Sequence, residues 1–479
     1  MITCDFSGIG KESLYKHLYE SVKSDICEGK LAAGERLPSK RLLAAHLSIS
    51  TITVENAYNC LMTEGYVYSL PKKGYYVADI SRAARPTMPA AEKPARKNSS
   101  CETEKPALGS EKAKAGYIFD FISNHTRPEN FPFDIWARLM REVITEKSAE
   151  LMRNPPSGGT IALRKAIAGH LKRFRGMTVS HEQIIVGAGT EYLYSLLIQL
   201  LGHDKLYALE DPGYGKPEMI YRLNGAHCCH VGLDDQGINV SELSFCGAQV
   251  AHITPNHHYP TGLVVPMPRR YELLAWVSSR PDRYIIEDDY DCEFRLLGSP
   301  VPPLQSMDSS DRVIYINTFT KSLASTIRIA YMVLPPGLLE EFYRRQGFYA
   351  CTVSNFEQYT LARLIDEGYF EKHIAAMKNY YRGLRDRLVD SIVQSALHTC
   401  THIAEADAGL HFLLHVHTEM TDEELVARLE EHGIRIACLS GYYHDNSAGH
   451  THALVMNYSG IDPGKIDQAT ARLVKVIAG

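Results

Sequence analysis

Residues 81–115, SRAARPTMPAAEKPARKNSSCETEKPALGSEKAKA, set the first limit on what this chain can fold into. The stretch is rich in Pro, Ala, Lys and Ser and has no apolar periodicity, so it cannot bury enough surface to offset the entropy of ordering. It reads as a flexible linker over residues 80–115 that divides the 479-residue chain into two separately cored units, residues 10–79 and 116–479. Fully extended, it would span on the order of 100 Å, so the two units are free to serve different parts of a dimer.

The composition, 45% hydrophobic and 22% charged, is that of a globular protein with a sizeable core. No run of 18 apolar residues is present, so no membrane partner is expected. The opening MITCDFSGIGKES lacks a basic and apolar leader pattern, and the eleven cysteines show no CxxC spacing. Reduced thiols and a cytoplasmic location are therefore expected. The net charge of −5 conceals a gradient. Residues 1–80 balance nine basic against nine acidic side chains, the linker holds eight against four, and the rest of the chain is acidic. This fits an interaction module tethered to a soluble body.

In the first unit, Leu14, Leu18, Val22 and Ile26 recur every four residues behind Ser13, a candidate cap. Ser39 is placed to cap a short helix ending at Leu47, and Ser50 to cap a helix from Thr51 to Glu64 with Val54, Ala57, Tyr58 and Leu61 inward. Tyr66–Leu70 and Tyr75–Val77, around Pro71-Lys72-Lys73-Gly74, read as a hairpin. This is the pattern of a winged helix-turn-helix (α+β). Its partner would be a double-stranded DNA operator. The start of the second helix of the motif offers free N–H groups and the small polar side chains Ser50, Thr51 and Thr53 to phosphates and base edges. Arg36, Ser39, Lys40 and Arg41, with Lys72, Lys73 and Gly74 at the wing, complete the candidate DNA-binding set through salt-dependent phosphate contacts. The stretch LPSKRLLA and the turn LSISTITV resemble the GntR family of bacterial regulators, although Thr51 stands where that family usually has arginine.

The second unit alternates strands and helices. Ile184–Gly187, Leu206–Leu209, Val250–Ile253, Tyr284–Ile286 and Val313–Ile316 are apolar runs of strand length, and Thr190–Leu201 is helical. The pattern argues for a doubly wound α/β sheet with ligands beyond the carboxyl ends of its strands. The chemistry-bearing residues follow those strands. A lysine that attaches a phosphorylated pyridine cofactor needs hydroxyls and an arginine for the phosphate, and a carboxylate to keep the ring nitrogen protonated. Thr318, Thr320, Lys321 and Arg328 meet the first need and Asp288 the second. Gly187-Ala188-Gly189-Thr190-Glu191 opens a helix after a strand, an anion-binding arrangement. Tyr214 could stack on a ring, and TPNHHYPTG (254–262) is a polar loop at the same edge.

YIIEDDYDCEF, TFTKSLASTIRIAY and TPNHHYPTG are similar to fold-type I aminotransferases, and the whole chain outside the linker resembles the MocR/GabR-type regulators. This resemblance implies a PLP-dependent, aminotransferase-like effector domain and a homodimer. It implies a Schiff base between pyridoxal 5'-phosphate (PLP) and Lys321, with Asp288 on the ring nitrogen, Tyr290 on the ring hydroxyl and Tyr214 on the ring face. Arg328, Thr318, Thr320, Gly189 and Thr190 would hold the phosphate, with Asn256 and His258 also facing the cofactor. Lys216 and Tyr214 would touch an effector. The arginines that such relatives use on a ligand carboxylate are missing here: one position falls on Lys216, another near Gly441. The strand Leu454–Tyr458 also lacks the arginine with which aminotransferases grip an α-carboxylate.

Two function classes follow. One is a PLP-dependent transcriptional regulator sensing PLP itself, a small amine or an amino acid, with at most a vestigial transaminase half-reaction. The other is a catalytically active aminotransferase with an accessory DNA-binding domain. No metal is expected: His227-Cys228-Cys229-His230 alternates its faces along a strand, and His444, His450 and His452 fall in a polar loop.

Overall fold

The computed structural model describes residues 13–47, 49–70, 73–78, 117–123, 126–296, 301–404, 409–445 and 449–479. The expected linker and the wing residue Lys72 lie outside the described residues.

The N-terminal unit consists of α1 (Leu14–Cys27), α2 (Lys40–Leu47), α3 (Thr51–Thr63) and a hairpin of β1 (Val67–Leu70) and β2 (Gly74–Val77). Leu18, Val22 and Ile26 of α1 meet Val54, Ala57, Tyr58 and Leu61 of α3 in one buried cluster. Ser50 caps α3, its Oγ accepting from Thr53 N at 3.0 Å. Two expectations for α1 need correction. Leu14 is 43% exposed, because the packed cluster on that face begins at Leu18. Ser13 makes no side-chain cap, and only its carbonyl accepts from Lys16 N and His17 N.

In the C-terminal unit β3 (Phe119–Asp120) is followed by β4 (Ile184–Gly187), β5 (Leu206–Asp211), β6 (His227–Asp234), β7 (Gly237–Ile238), β8 (Val250–Ile253), β9 (Tyr284–Asp288), β10 (Val313–Thr318) and β11 (Ala330–Val333). The last eight form one sheet in the order β4-β11-β10-β9-β8-β5-β6-β7. From β10 through β9, β8, β5 and β6 all pairings are parallel, while β11 runs antiparallel to both β10 and β4. The doubly wound plan is thus present in a mixed sheet with two reversed strands, β11 and the short edge strand β7, which pairs antiparallel with β6. Every residue of β4, β8, β10 and β11 is buried, which is why these strands read as largely apolar runs.

Beyond the sheet lies a smaller antiparallel layer of β12 (Thr401–Ala404), β13 (His411–Val416), β15 (Ala437–Cys438) and β16 (Ala453–Asn457). Between them in sequence, β14 (Ile434–Arg435) pairs with β3. No helix among the described residues is long and apolar enough to cross a membrane.

The winged unit rests on the helix Met267–Ser278 of the larger unit. Met267 belongs to the winged unit's buried cluster, and its N donates to Glu64 O at 2.9 Å. Gly65, at φ +76°, approaches so closely that a Cβ would stand 2.8 Å from Pro266 Cβ.

Candidate functional site

The carboxyl ends of β4, β5, β8, β9 and β10 open onto one cavity of about 350 Å³. Thr190, Tyr214, Lys216, Asp288, Tyr290, Thr318, Thr320, Lys321 and Arg328 all line it. These residues come from five sequence segments and converge because parallel strands place their following loops at the same edge.

The acidic run that ends β9 and follows it is sorted by direction. Glu287 turns away and accepts from Leu304 N and Gln305 N, at 2.9 and 3.0 Å. Asp289 binds the buried Arg175 guanidinium at 2.5 Å and Tyr315 Oη at 2.7 Å. Asp291 pairs with His257 Nδ1 at 2.9 Å. Asp288 alone lines the cavity. Its Oδ2 accepts from Tyr194 Oη and has His252 Nε2 at 3.5 Å, whereas Oδ1 is buried with no hydrogen-bond partner. An unanswered buried carboxylate oxygen is costly, and this atom is open to a further donor on the cavity side.

Lys321 is partly buried on the cavity wall, with Nζ 5.8 Å from the Tyr290 ring centroid. Burial pushes its ammonium down to about 8, only partly opposed by the charge of Asp291. A substantial neutral fraction is therefore available near physiological pH, as a nucleophilic amine requires. Tyr290 Oη lies 3.2 Å from His257 Nδ1. Glu210, on the cavity wall, is pushed up to about 8 by burial and so is largely uncharged at neutral pH.

At the other end, Thr318 Oγ1 and Thr320 Oγ1 lie 2.8 Å apart, beside the start of the helix Thr190–Leu201. Gly189 (φ +89°) leaves room that a Cβ would fill, since that atom would run into the Arg328 guanidinium. The Glu191 carboxylate lies within this cradle, ion-paired to Arg328 and to Lys216 Nζ, the latter at 2.8 Å.

Two of the residues expected at the cofactor are elsewhere. Asn256 is held behind the loop, donating to Glu287 Oε1 at 3.2 Å and accepting from Arg270 Nη2 at 2.9 Å. His258 faces Thr261 Oγ1 at 2.7 Å and Glu210 Oε2 at 3.4 Å, and burial holds its imidazole down to about 3. Neither lines the cavity, because the loop turns at Tyr259-Pro260 and presents Tyr259 instead. Tyr259 meets Tyr214 edge to face at 5.8 Å and shares a 2.7 Å hydrogen bond with Tyr442 Oη. Sequence reasoning also missed Tyr194, His252 and Glu191. Each had a signal: Tyr194 is one helical turn past Thr190, His252 is the polar residue within an apolar strand, and Glu191 opens a helix.

On the winged unit, Arg36, Ser39, Arg41, Ser50, Thr51 and Lys73 are exposed and Thr53 and Gly74 are partly so. Lys40 differs, because its ammonium is committed to Glu55 at 2.5 Å. Ser39 Oγ accepts from Leu42 N at 3.2 Å. The outward face of α3 adds Ile52, Asn56 and Asn59, which the sequence reading did not single out.

Fold and site together define a class of protein: a winged DNA-binding unit joined to a domain of aminotransferase fold. The family model for bacterial regulatory proteins of the gntR family matches residues 14–77. The chain is 33% identical over 464 residues to an uncharacterized HTH-type transcriptional regulator of Bacillus subtilis, YdeL, covering 96% of each. It is 31% identical to the probable rhizopine catabolism regulatory protein MocR of Rhizobium meliloti, over 94% of this chain and 91% of that one. The chain belongs to the MocR-type regulators of the gntR family, and is a DNA-binding transcriptional regulator. The larger unit shares its fold with a kynurenine aminotransferase of Pyrococcus horikoshii solved in complex with PMP. That likeness has a TM-score of 0.67 at 22% identity and covers 76% of this chain and 92% of that one.

Proposed function

We propose that this regulator senses PLP, alone or with a small amine or amino acid that reacts with it, in the cavity around Lys321. Occupancy would alter how the winged units of a homodimer engage a DNA operator in the cytoplasm. The observation that carries this reading is the pairing of a partly buried, easily deprotonated Lys321 with the partnerless Oδ1 of Asp288 in one cavity. When bound, PLP supplies an aldehyde that condenses with amines and a ring that accepts electron density.

The residues fit that group. Lys321 would hold it covalently, and Asp288 would take the ring N–H on Oδ1. The Gly189 cradle, Thr190, Thr318, Thr320 and Arg328 match a phosphate in shape, hydroxyl content and charge. Tyr214 is available for the ring face and Tyr290 for a ring hydroxyl. Asn457, at the end of β16, also lines the cavity. A neutral amide in that strand gives no cationic grip on an α-carboxylate, which favours a sensor over an efficient transaminase.

A route to the DNA-binding unit is built into the packing. Arg270, fully buried on the helix that carries the winged unit, donates to Pro255 O at 2.7 Å and to Asn256 Oδ1. The cavity loop and the winged unit thus share one support. The signal can be no larger than the ligand's preference for one arrangement of that support over another.

The test is an absorbance titration of the chain with PLP. A visible band should form in the wild type and be absent from Lys321→Ala, and its rate of formation should rise with pH through about 8 as the ammonium deprotonates. No band in the wild type at saturating PLP would refute the cofactor reading. A band that bleaches with an amino acid and returns with a keto acid would instead make the chain an aminotransferase.

A further inference from the structure

A second cluster stands beside the cavity. Glu218 on the helix Gly215–Leu223, His230 on β6 and His444 on the segment after Leu439–Tyr442 bring three ligand atoms within 4.8 Å of one another. His230 Nε2 lies 3.2 Å from Glu218 Oε2, and His444 Nδ1 lies 3.8 Å from the same oxygen. Tetrahedral zinc, with bonds of about 2.0–2.1 Å, separates its ligand atoms by about 3.3 Å, so the distances from Glu218 to the two histidines already lie within about half an ångström of that spacing, although the ring orientations do not yet suit a shared cation. Two imidazoles and a carboxylate form a borderline donor set that suits zinc-like cations better than magnesium or calcium.

The supporting contacts also fit. Arg222 Nε holds Glu218 Oε1 at 2.7 Å, which fixes the carboxylate and leaves Oε2 toward the histidines. His444 N donates to Asp211 Oδ1 at 2.9 Å, anchoring that segment to the end of β5. The imidazole rings of His230 and His444 lie face to face, 3.5 Å apart and 11° from parallel. A cation shared by both requires one ring to turn edge-on. His444, with 45% of its side chain exposed and on a loop, is free to do so, while His230 is only 15% exposed.

We propose that Glu218, His230 and His444 form a site for a divalent cation of the zinc class that clamps the segment 439–445 to the body of the domain. That segment already borders the cavity: Tyr442 O accepts from Gly213 N at 3.0 Å, and its hydroxyl meets Tyr259. The helix that carries Glu218 also carries Lys216 and follows Tyr214 directly. One cation would join three separate segments around the cavity mouth. Its effect on cofactor exchange rests on the PLP reading above, whereas the site itself does not.

The experiment uses the full, tag-free chain with reduced thiols in magnesium-containing buffer, titrated with cobalt(II) and with zinc. The expected result is one equivalent bound per chain, with cobalt ligand-field bands but no thiolate-to-cobalt charge transfer, and a zinc-dependent rise in thermal midpoint. His444→Ala and Glu218→Gln should each weaken binding at least tenfold while retaining the midpoint of the metal-free wild type. Unchanged binding in both variants, a thiolate spectrum, or no zinc response would overturn the site. With PLP loaded, zinc should slow cofactor release severalfold in the wild type and not in His444→Ala; equal release rates would overturn the clamp. A chain that binds zinc as described but never takes up PLP would refute the cofactor reading and leave the site standing.

Discussion

The winged unit and the cavity of the larger unit handle charge in opposite ways. On the winged unit, Arg36, Arg41 and Lys73 stand in solvent, and the polar residues of α3 project from a helix whose opposite face is apolar. In the larger unit, Asp288 and Glu210 are buried and Lys321 is partly so, each shifted or constrained by its surroundings. The contrast predicts where single changes matter. Surface cations contribute additively, are screened by salt and can be replaced one for another. Buried groups are individually committed, and removing one leaves its partners without compensation.

The largest effect is therefore expected in the cavity. Asp288→Asn keeps the shape of the side chain but removes the charge that faces a ring N–H. A charge-assisted hydrogen bond of about 1.5–3 kcal/mol corresponds to a loss of roughly ten- to hundredfold in PLP affinity. Equilibrium titration of the absorbance band measures it. Affinity for a non-specific duplex should not change, and a matching loss on both ligands would mean that the variant is misfolded.

How much of each region was legible from sequence follows the same contrast. The winged unit depends on contiguous residues, so its caps, periodicity and turn placed α2, α3 and the hairpin within a residue or two. The cavity residues are spread from Ile122 to Asn457, yet several between Thr190 and Arg328 were readable because each follows an apolar strand. What was hidden depended on side-chain direction and long-range pairing. Asn256 and His258 sit in the right loop but point away, and Tyr259 between the same strand ends takes their place. Lys40 appears in sequence as one more cation; only the fold reveals Glu55, fifteen residues on, as its partner. The Glu218–His230–His444 cluster joins three segments and has no local spacing signature at all.

A smaller, salt-dependent effect is expected on the winged unit. Replacing Arg41 and Lys73 together by alanine should flatten the dependence of DNA affinity on salt by about two in the log–log slope, if each neutralises one phosphate. Lys40→Ala should leave that slope unchanged, because its charge is already spent on Glu55, and should lower thermal stability slightly instead. Slopes from fluorescence anisotropy at several salt concentrations separate the two. An equal change in slope for Lys40→Ala would show that the ion pair opens on DNA and that all surface cations act alike.

The smallest change asks whether the cavity contains its own competitor. The Glu191 carboxylate lies between Arg328 and Lys216 in the cradle suited to a phosphate. Burial alone would raise its pKa, but the hydrogen bond from Lys216 and the charge of Arg328 bring it below the ordinary carboxylate value. It therefore stays ionised through neutral pH and down past pH 5. A phosphate arriving there must displace it from both cations. Glu191→Gln removes that competing charge, and PLP should bind about three- to tenfold more tightly, the range expected for losing one or two partly exposed ion pairs of up to about 1 kcal/mol each. Because the carboxylate keeps its charge, the difference between variant and wild type should persist from pH 8 to pH 5. Weaker binding in the variant would make Glu191 a spacer that positions Arg328 and Lys216 for the phosphate, and the cavity's charges would then be cooperative rather than self-competing.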